Sequence, residues 1–139
     1  MHTDSLELSK RMIGGQFLPK KYFHVAGQHR SIQSLAFISK NNTPLLFAGT
    51  DHGLFRSFDS GKNWVELKQG LFSQDIRALA VNPNNPQIIY AGTPKGVFKS
   101  EDQGESWGEW FDEASGLKNV FINDLLIDPK DTNTIYAAT

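Results

Sequence analysis

Asp59 and Asp102 hold the same place in two near-identical octets, S-F-D-S-G-K-N-W over 57–64 and S-E-D-Q-G-E-S-W over 100–107, set 43 positions apart. A pair of carboxylates is what acid–base cleavage of a glycosidic bond would require. Each aspartate also has a purely local use. Beside Gly61 or Gly104, which supplies positive φ, it can fold back to accept backbone N–H groups two residues ahead, while Ser57 or Ser100 bonds across the base of the turn. The local use accounts for each acid independently, so both are read as structural and no catalytic residue is assigned. Trp64 and Trp107 close the octets and are expected to pack a large ring between neighbouring repeats.

Other candidate chemistry is sparse. His24 and His29 stand five apart around Gly27, and His52 sits in a turn. No spacing of His, Asp or Glu makes a metal set, so neither metal nor cofactor is assigned. Trp110-Phe111 adds aromatic surface after Trp107. It could stack on a sugar, but packing against a neighbouring repeat is the favoured use.

The elements that must position these residues also repeat. Ahead of each octet stands an apolar strand ending in Ala-Gly-Thr, Leu45 to Thr50 and Ile88 to Thr93, then a short turn containing Gly53 or Gly96, then G-L-F-R-S or G-V-F-K-S. A third copy begins at Ile122 and reaches I-Y-A-A-T at 135–139. Ile76 to Val81 is a mostly apolar run closed by Asn82-Pro83-Asn84-Asn85-Pro86, which predicts a first strand buried on both faces, and the fourth strand is expected from Trp64 or Trp107. A period of 43 to 46 residues holding about four short strands predicts an all-β chain of β-propeller type, built of four-stranded antiparallel blades.

The pattern S-x-D-x-G-x-x-W, with its flanking Y-A-G-T and G-V-F-K-S strands over residues 32 to 139, resembles the Asp-box, or BNR repeat, superfamily of sialidases, sortilin-type receptors, xyloglucan-degrading glycosidases and a photosystem II assembly factor. The resemblance implies that the boxes lie on the side opposite the ligand site. Ser57, Asp59, Gly61 and Trp64, with Ser100, Asp102, Gly104 and Trp107, are therefore carried over as structural positions only. Sialidase-like members also carry an Arg-Ile-Pro motif and an arginine triad. This chain has no R-I-P, and its arginines are Arg11, Arg30, Arg56 and Arg77.

Propeller ligand sites gather at the channel mouth, on loops between blades and on turns between second and third strands. That places candidate rim residues at Gln33, Asp51, His52, Asp75, Arg77, Lys95, Asn123 and Asp124, with Gln33, Arg77 and Asn123 at equivalent positions of successive first strands. Asp124 is the one carboxylate standing where a channel acid would be, and one carboxylate is not a catalytic pair. The expected organisation is a loose segment over 1–10, a partial blade of outer strands over 11–31, blades over 32–75 and 76–121, and a truncated blade over 122–139, giving two full and two half blades in an incomplete ring. Too few blades to close a ring leave apolar faces and strand edges open. The expected partners are therefore the remaining blades of a longer chain or a second copy, two copies making a six-bladed homodimer.

Composition adds exclusions. A formal charge of -1 with scattered Lys and Arg gives no electrostatic footprint for nucleic acid. Zero cysteines exclude a disulfide framework, no apolar run approaches a membrane span, and the first residues do not resemble a secretory signal, although relatives of this type are often exported. The functional reading is a non-enzymatic binding or assembly-scaffold module that recognises protein or glycan at its rim. The alternative is a fragment of a glycoside hydrolase, xyloglucanase-like or sialidase-like, whose catalytic residues lie largely outside this chain.

Overall fold

The fold is described from a computed structural model, which covers the backbone over 5–13, 16–25, 28–40, 43–108, 110–117 and 119–139, and side chains over 30–39, 44–108, 111–112, 114–117 and 119–139. All strand pairs are antiparallel. The first sheet holds β1 (Ser5–Ile13), β2 (Gln16–Val25), β3 (Gln28–Lys40), β4 (Thr43–Thr50), β5 (Gly53–Ser57) and β6 (Val65–Leu67) in chain order. The second holds β7 (Ala78–Val81), β8 (Ile89–Thr93), β9 (Gly96–Ser100) and β10 (Trp110–Phe111), and the third pairs β11 (Asp124–Ile127) with β12 (Ile135–Ala138). β3 to β6 and β7 to β10 thus form two successive antiparallel four-strand runs of blade-like kind, and the β11–β12 pair follows them.

Side-chain types dictate the turns. Asn82 Oδ1 accepts the amides of Asn84 at 2.9 Å and Asn85 at 3.2 Å, reversing the chain between β7 and β8, and Asp128 Oδ1 does the same for Lys130 at 2.8 Å between β11 and β12. The next turn is held by the threonine of Ala-Gly-Thr. Thr50 Oγ1 donates to Gly53 O at 2.8 Å and accepts the amide of His52 at 3.1 Å, and Thr93 repeats both bonds with Gly96 and Lys95. Both threonines are fully buried, so these bonds satisfy hydroxyls that would otherwise be costly inside the blade.

Blades pack face to face. Ile38, Leu45, Phe47, Leu54 and Leu67 of the first meet Ile76, Ile89, Ala91, Phe98 and Trp107 of the second. Ala78, Tyr90 and Val97 of the second meet Ile122, Leu125 and Ile127 of the third. Burying one such side chain stabilises by about 1.5–3 kcal/mol, so these two seams are the core. Each seam is also stitched by backbone, with the Ile76 amide donating to Thr50 O at 2.8 Å and the Ile122 amide to Thr93 O at 3.0 Å. These cross-seam bonds take the first residues of the apolar runs away from their own ladders. Regular strand therefore begins at Ala78 and Asp124 rather than at Ile76 and Ile122.

Three further differences from the sequence expectation have physical reasons. Residues 5–10 are not loose but belong to β1, whose alternating Leu6, Glu7, Leu8 and Ser9 suit a strand, and which pairs with β2 from Ser5↔His24 to Ile13↔Gln16. β2 is not an outer blade strand. It pairs with Gln28 to Ser31 at the start of β3, whereas β3 pairs with β4 only from Ile32 onward, so β1 and β2 form a ribbon continuing from the blade. The fourth strands start after the tryptophans, at Val65 and Trp110, and in the second the Trp107 amide donates across the seam to Gln69 O at 2.9 Å instead of along a ladder. Met1 to Asp4, Gly14-Gly15, Ala26-Gly27 and Lys118, which also figured in those expectations, lie outside the described residues.

The glycine of Ala-Gly-Thr is required by close approach. A Cβ on Gly92 would stand 2.6 Å from Ile122 Cγ2 and 3.1 Å from Ala78 Cβ, and one on Gly49 would stand 2.7 Å from Ile76 Cγ2. Gly92→Ala is expected to lower stability by about 1–3 kcal/mol through overpacking of the seam, whereas Gly108→Ala, where an added Cβ meets nothing within 4 Å, is expected to change it by less than about 0.5 kcal/mol. Urea denaturation of the two variants checks this, and equal midpoints would contradict the seam argument.

Candidate functional site

The octets share the bonds of their serine and aspartate. Ser57 Oγ donates to Asp59 Oδ1 at 2.8 Å and accepts the Gly61 amide at 2.9 Å; Ser100 Oγ donates to Asp102 Oδ1 at 2.8 Å and accepts the Gly104 amide at 2.8 Å. Asp59 Oδ1 accepts the Asn63 amide at 2.8 Å, and Asp102 Oδ1 the Ser106 amide at 2.9 Å. The aspartate therefore spans four residues, not the two expected from sequence. The reason is that the reversal uses two successive positive-φ residues, Ser60 (61°) with Gly61 (88°) and Gln103 (59°) with Gly104 (84°), which lengthens the turn. The second carboxylate oxygen bonds the side chains of Asn63 and Ser106, partners that the sequence reading missed.

These bonds fix the acids as anions. The amide and then the side chain of Asn63 hold the Asp59 carboxyl down at about 2. At Asp102 burial works against the charge, but bonds from the Ser106 hydroxyl and amide and from Ser100 outweigh it and keep the carboxyl below its usual value. A carboxyl held ionised by four or more donors is a poor general acid. Trp107 is buried in the first seam, whereas Trp64 is buried with Ile32, Ala48 and Phe55 on the opposite face of its own blade. Trp64 Nε1 donates to Gly61 O at 3.0 Å, while Trp107 Nε1 is buried without a partner.

The octets and the candidate rim occupy opposite ends of the blades. In the β4–β5 register Thr50 faces Gly53 while Leu46 faces Ser57, and in the β3–β4 register Ile32 faces Thr50. First-strand starts and second-to-third turns therefore share one end, and the octets lie at the other.

At the rim end a continuous polar row crosses both seams. Gln33 Nε2 donates to Asp75 Oδ1 at 2.5 Å, Arg77 Nε donates to Asp75 Oδ2 at 3.1 Å, and Arg77 Nη1 donates to Asn123 Oδ1 at 3.4 Å. The guanidinium carbon of Arg77 lies 4.4 Å from the centre of the Phe121 ring, in cation–π contact. Arg77 and Asp75 are half-buried, with Gln33, Asn123 and Phe121 more open to solvent. The equivalence of Gln33, Arg77 and Asn123 anticipated this row. Phe121 was missed as an individual residue, and the signal available was its repeat position, the same as that of Asp75.

The remaining candidates are Asp51, His52, Lys95 and Asp124. Asp51 accepts the Ser31 amide at 3.0 Å and lies 3.1 Å from His52 Nδ1; burial opposes its charge, but the bonds from His52 and Ser31 leave its carboxyl lowered. Asp124 is exposed and accepts its neighbour's amide, Leu125, at 2.9 Å. Lys95 is exposed in the β8–β9 turn. Phe111 lines a separate cleft of about 350 Å³ with Tyr90, Val97, Leu117 and Ile135, which is the outer part of the second seam. Among the described residues no group of three or more His, Asp or Glu side chains is placed to hold a metal ion.

No family model matches the chain, and no curated protein does. Among solved structures the chain is similar to an ancestral GH74 enzyme, with 22% identity and a TM-score of 0.61 over 77% of this chain and 16% of that chain. The likeness shows the fold: all-β, in antiparallel blades of propeller-like kind. This chain spans only that 16% of the enzyme's length, so the likeness carries no activity with it.

The turn bonds make stability depend on acid. A carboxyl at about 2 in the fold and 3.8 as its ordinary value contributes stability that is complete above about pH 4 and is lost as pH falls towards 2. Asp59→Asn is expected to be less stable at pH 6 and to lose less of its stability between pH 5 and pH 2.5 than the parent chain. Urea midpoints at these pH values decide it, an equally steep fall being the contrary result.

Proposed function

We propose that the chain is a non-enzymatic binding module of Asp-box propeller type that recognises a hydroxyl-rich ligand, a glycan in the first instance, at the row Gln33–Asp75–Arg77–Asn123. The observation that carries this reading is the row itself. It sets an amide, a carboxylate, a guanidinium and a second amide in line across three first strands. Planar groups of this kind present paired donors and acceptors to neighbouring hydroxyls, and the partly exposed Phe121 adds apolar surface beside them. Asp75 and Arg77 hold one another in position, so little side-chain freedom is lost on binding. The octets, at the other end of the blades with their acids saturated by local bonds, act as structural clamps.

A second reading, a glycoside hydrolase fragment, is favoured by the likeness to a GH74 enzyme. It calls for a second carboxylate across the sugar from a first. Asp124 accepts its neighbour's amide, whereas Asp75 is engaged by both Gln33 and Arg77.

Titration calorimetry against a panel of soluble oligosaccharides tests the proposal. Arg77→Ala and Asn123→Ala are expected to weaken binding about tenfold or more, about 1.4 kcal/mol, at little cost in melting temperature. Asp102→Ala is expected to lose about 1–2 kcal/mol of stability from its turn bonds and to bind as the parent does once folded. Rim variants that bind normally would overturn the assignment, and release of reducing sugar abolished by Asp124→Asn would favour the hydrolase.

A further inference from the structure

The three first strands open on the same kind of triplet, an isoleucine between two rim residues: Ser31-Ile32-Gln33, Asp75-Ile76-Arg77 and Phe121-Ile122-Asn123. Across each seam the trailing residue of one triplet meets the leading residue of the next. Gln33 Nε2 donates to Asp75 Oδ1 at 2.5 Å, and the Arg77 guanidinium lies 4.4 Å from the centre of the Phe121 ring. Asp75 also serves its own strand, because Arg77 Nε donates to its second oxygen at 3.1 Å.

This double engagement decides what charge the row presents. Of its four members Arg77 is the cation and Asp75 the anion, and their side chains are 32% and 30% exposed. A guanidinium holds a carboxylate or sulfate best through two parallel N–H bonds. In Arg77, Nε is given to Asp75, Nη1 reaches Asn123 Oδ1 at 3.4 Å, and the Phe121 ring lies against the guanidinium carbon. An anion approaching the other donors of Arg77 meets the Asp75 carboxylate almost as closely as the cation, so repulsion cancels most of the attraction. Such an anion also surrenders hydration to enter a half-buried site. The wider rim does not restore the attraction, since three carboxylates, Asp51, Asp75 and Asp124, stand against two cations, Arg77 and Lys95.

A hydroxyl suits the row instead. It accepts from a guanidinium or an amide and donates to a carboxylate, which offers about four acceptor sites. The bonds from Gln33 and Arg77 use one such site on each Asp75 oxygen.

We propose that Asp75 is the specificity-determining residue of the rim: its charge confines the row to uncharged, hydroxyl-bearing oligosaccharides and bars those that carry carboxylate or sulfate groups. The inference rests on the reading of the row as a ligand site, and it adds which ligands are refused and which side chain refuses them. With the charge removed and the shape kept, as in Asp75→Asn, Arg77 becomes an anion site.

Two measurements test this, and the first needs no sugar. Sodium sulfate is titrated into the 15N-labelled 139-residue chain at constant ionic strength while the Arg77 Nε–H resonance is followed. No saturable shift is expected for the parent or for Asp75→Glu, which keeps the charge, whereas Asp75→Asn is expected to show one. Saturation in the parent, or its absence in a folded Asp75→Asn chain, overturns the proposal. The second measurement compares, by calorimetry, each oligosaccharide with the same oligosaccharide oxidised to carboxylates at its primary hydroxyls. The parent is expected to bind the neutral form about tenfold more tightly or better, and Asp75→Asn to bring the ratio close to one. Equal affinities in the parent overturn the proposal and leave the glycan reading standing; this arm decides even if Asp75→Asn does not fold. Failure of the parent to bind either form overturns the glycan reading and with it the ligand class, while the sulfate titration decides the role of the Asp75 charge separately.

Discussion

The close approach of each blade's opening isoleucine to the Ala-Gly-Thr segment of the blade before it is the constraint on which the rest depends. Ile76 and Ile122 are fully buried, their amides are bonded to Thr50 O and Thr93 O, and their side chains occupy the space that a Cβ on Gly49 or Gly92 would fill. That contact sets how far apart neighbouring blades stand. Given that spacing, Phe47, Phe98 and Trp107 can fill the rest of the seam. Loosening it by one methyl group would open the inner seam and the packing outside it together, because interiors are packed too densely to absorb the change.

The octets contribute differently. Each completes its bonds within eight residues and would do so in any blade. The second octet is also tied to the seam, through Trp107 and through a buried cation. Arg56 of β5 crosses the first seam to the carbonyl of Gln103 at 3.0 Å and to the Glu105 carboxylate, with its guanidinium 4.4 Å from the Phe58 ring. A turn that is locally complete is thereby tied to the neighbouring blade.

The rim row follows from the seams. Residues one period apart are brought side by side when first strands stand next to one another, so a run of polar residues at one repeat position becomes a line of touching groups. The two seams fill the same slot with different chemistry. Asp75 takes the hydrogen bond of Gln33, and Phe121, at the equivalent place one blade on, takes the cation of Arg77. Identical backbones can therefore present different ligand chemistry along one rim.

Local order made much of this legible in the sequence. The two octets, the hairpin turns at Gly53 and Gly96, the Asn82 turn and the strands around Ala-Gly-Thr are fixed by residues within a few positions of one another, so residue type and spacing sufficed. The alignment of Gln33, Arg77 and Asn123 was legible for another reason, since a repeat places equivalent residues equivalently even when they lie over forty positions apart. What only the tertiary structure decided lies in contacts between blades or at their ends. The pairing of β2 with the first residues of β3, the partners of Phe121 and Arg56, and the separate burial of Trp64 and Trp107 belong to this group. So does the exposure of Leu35, Phe37, Leu126 and Tyr136. A repeat states what each blade offers its neighbours, but which offers are taken up depends on where the faces meet, and that is a property of packing.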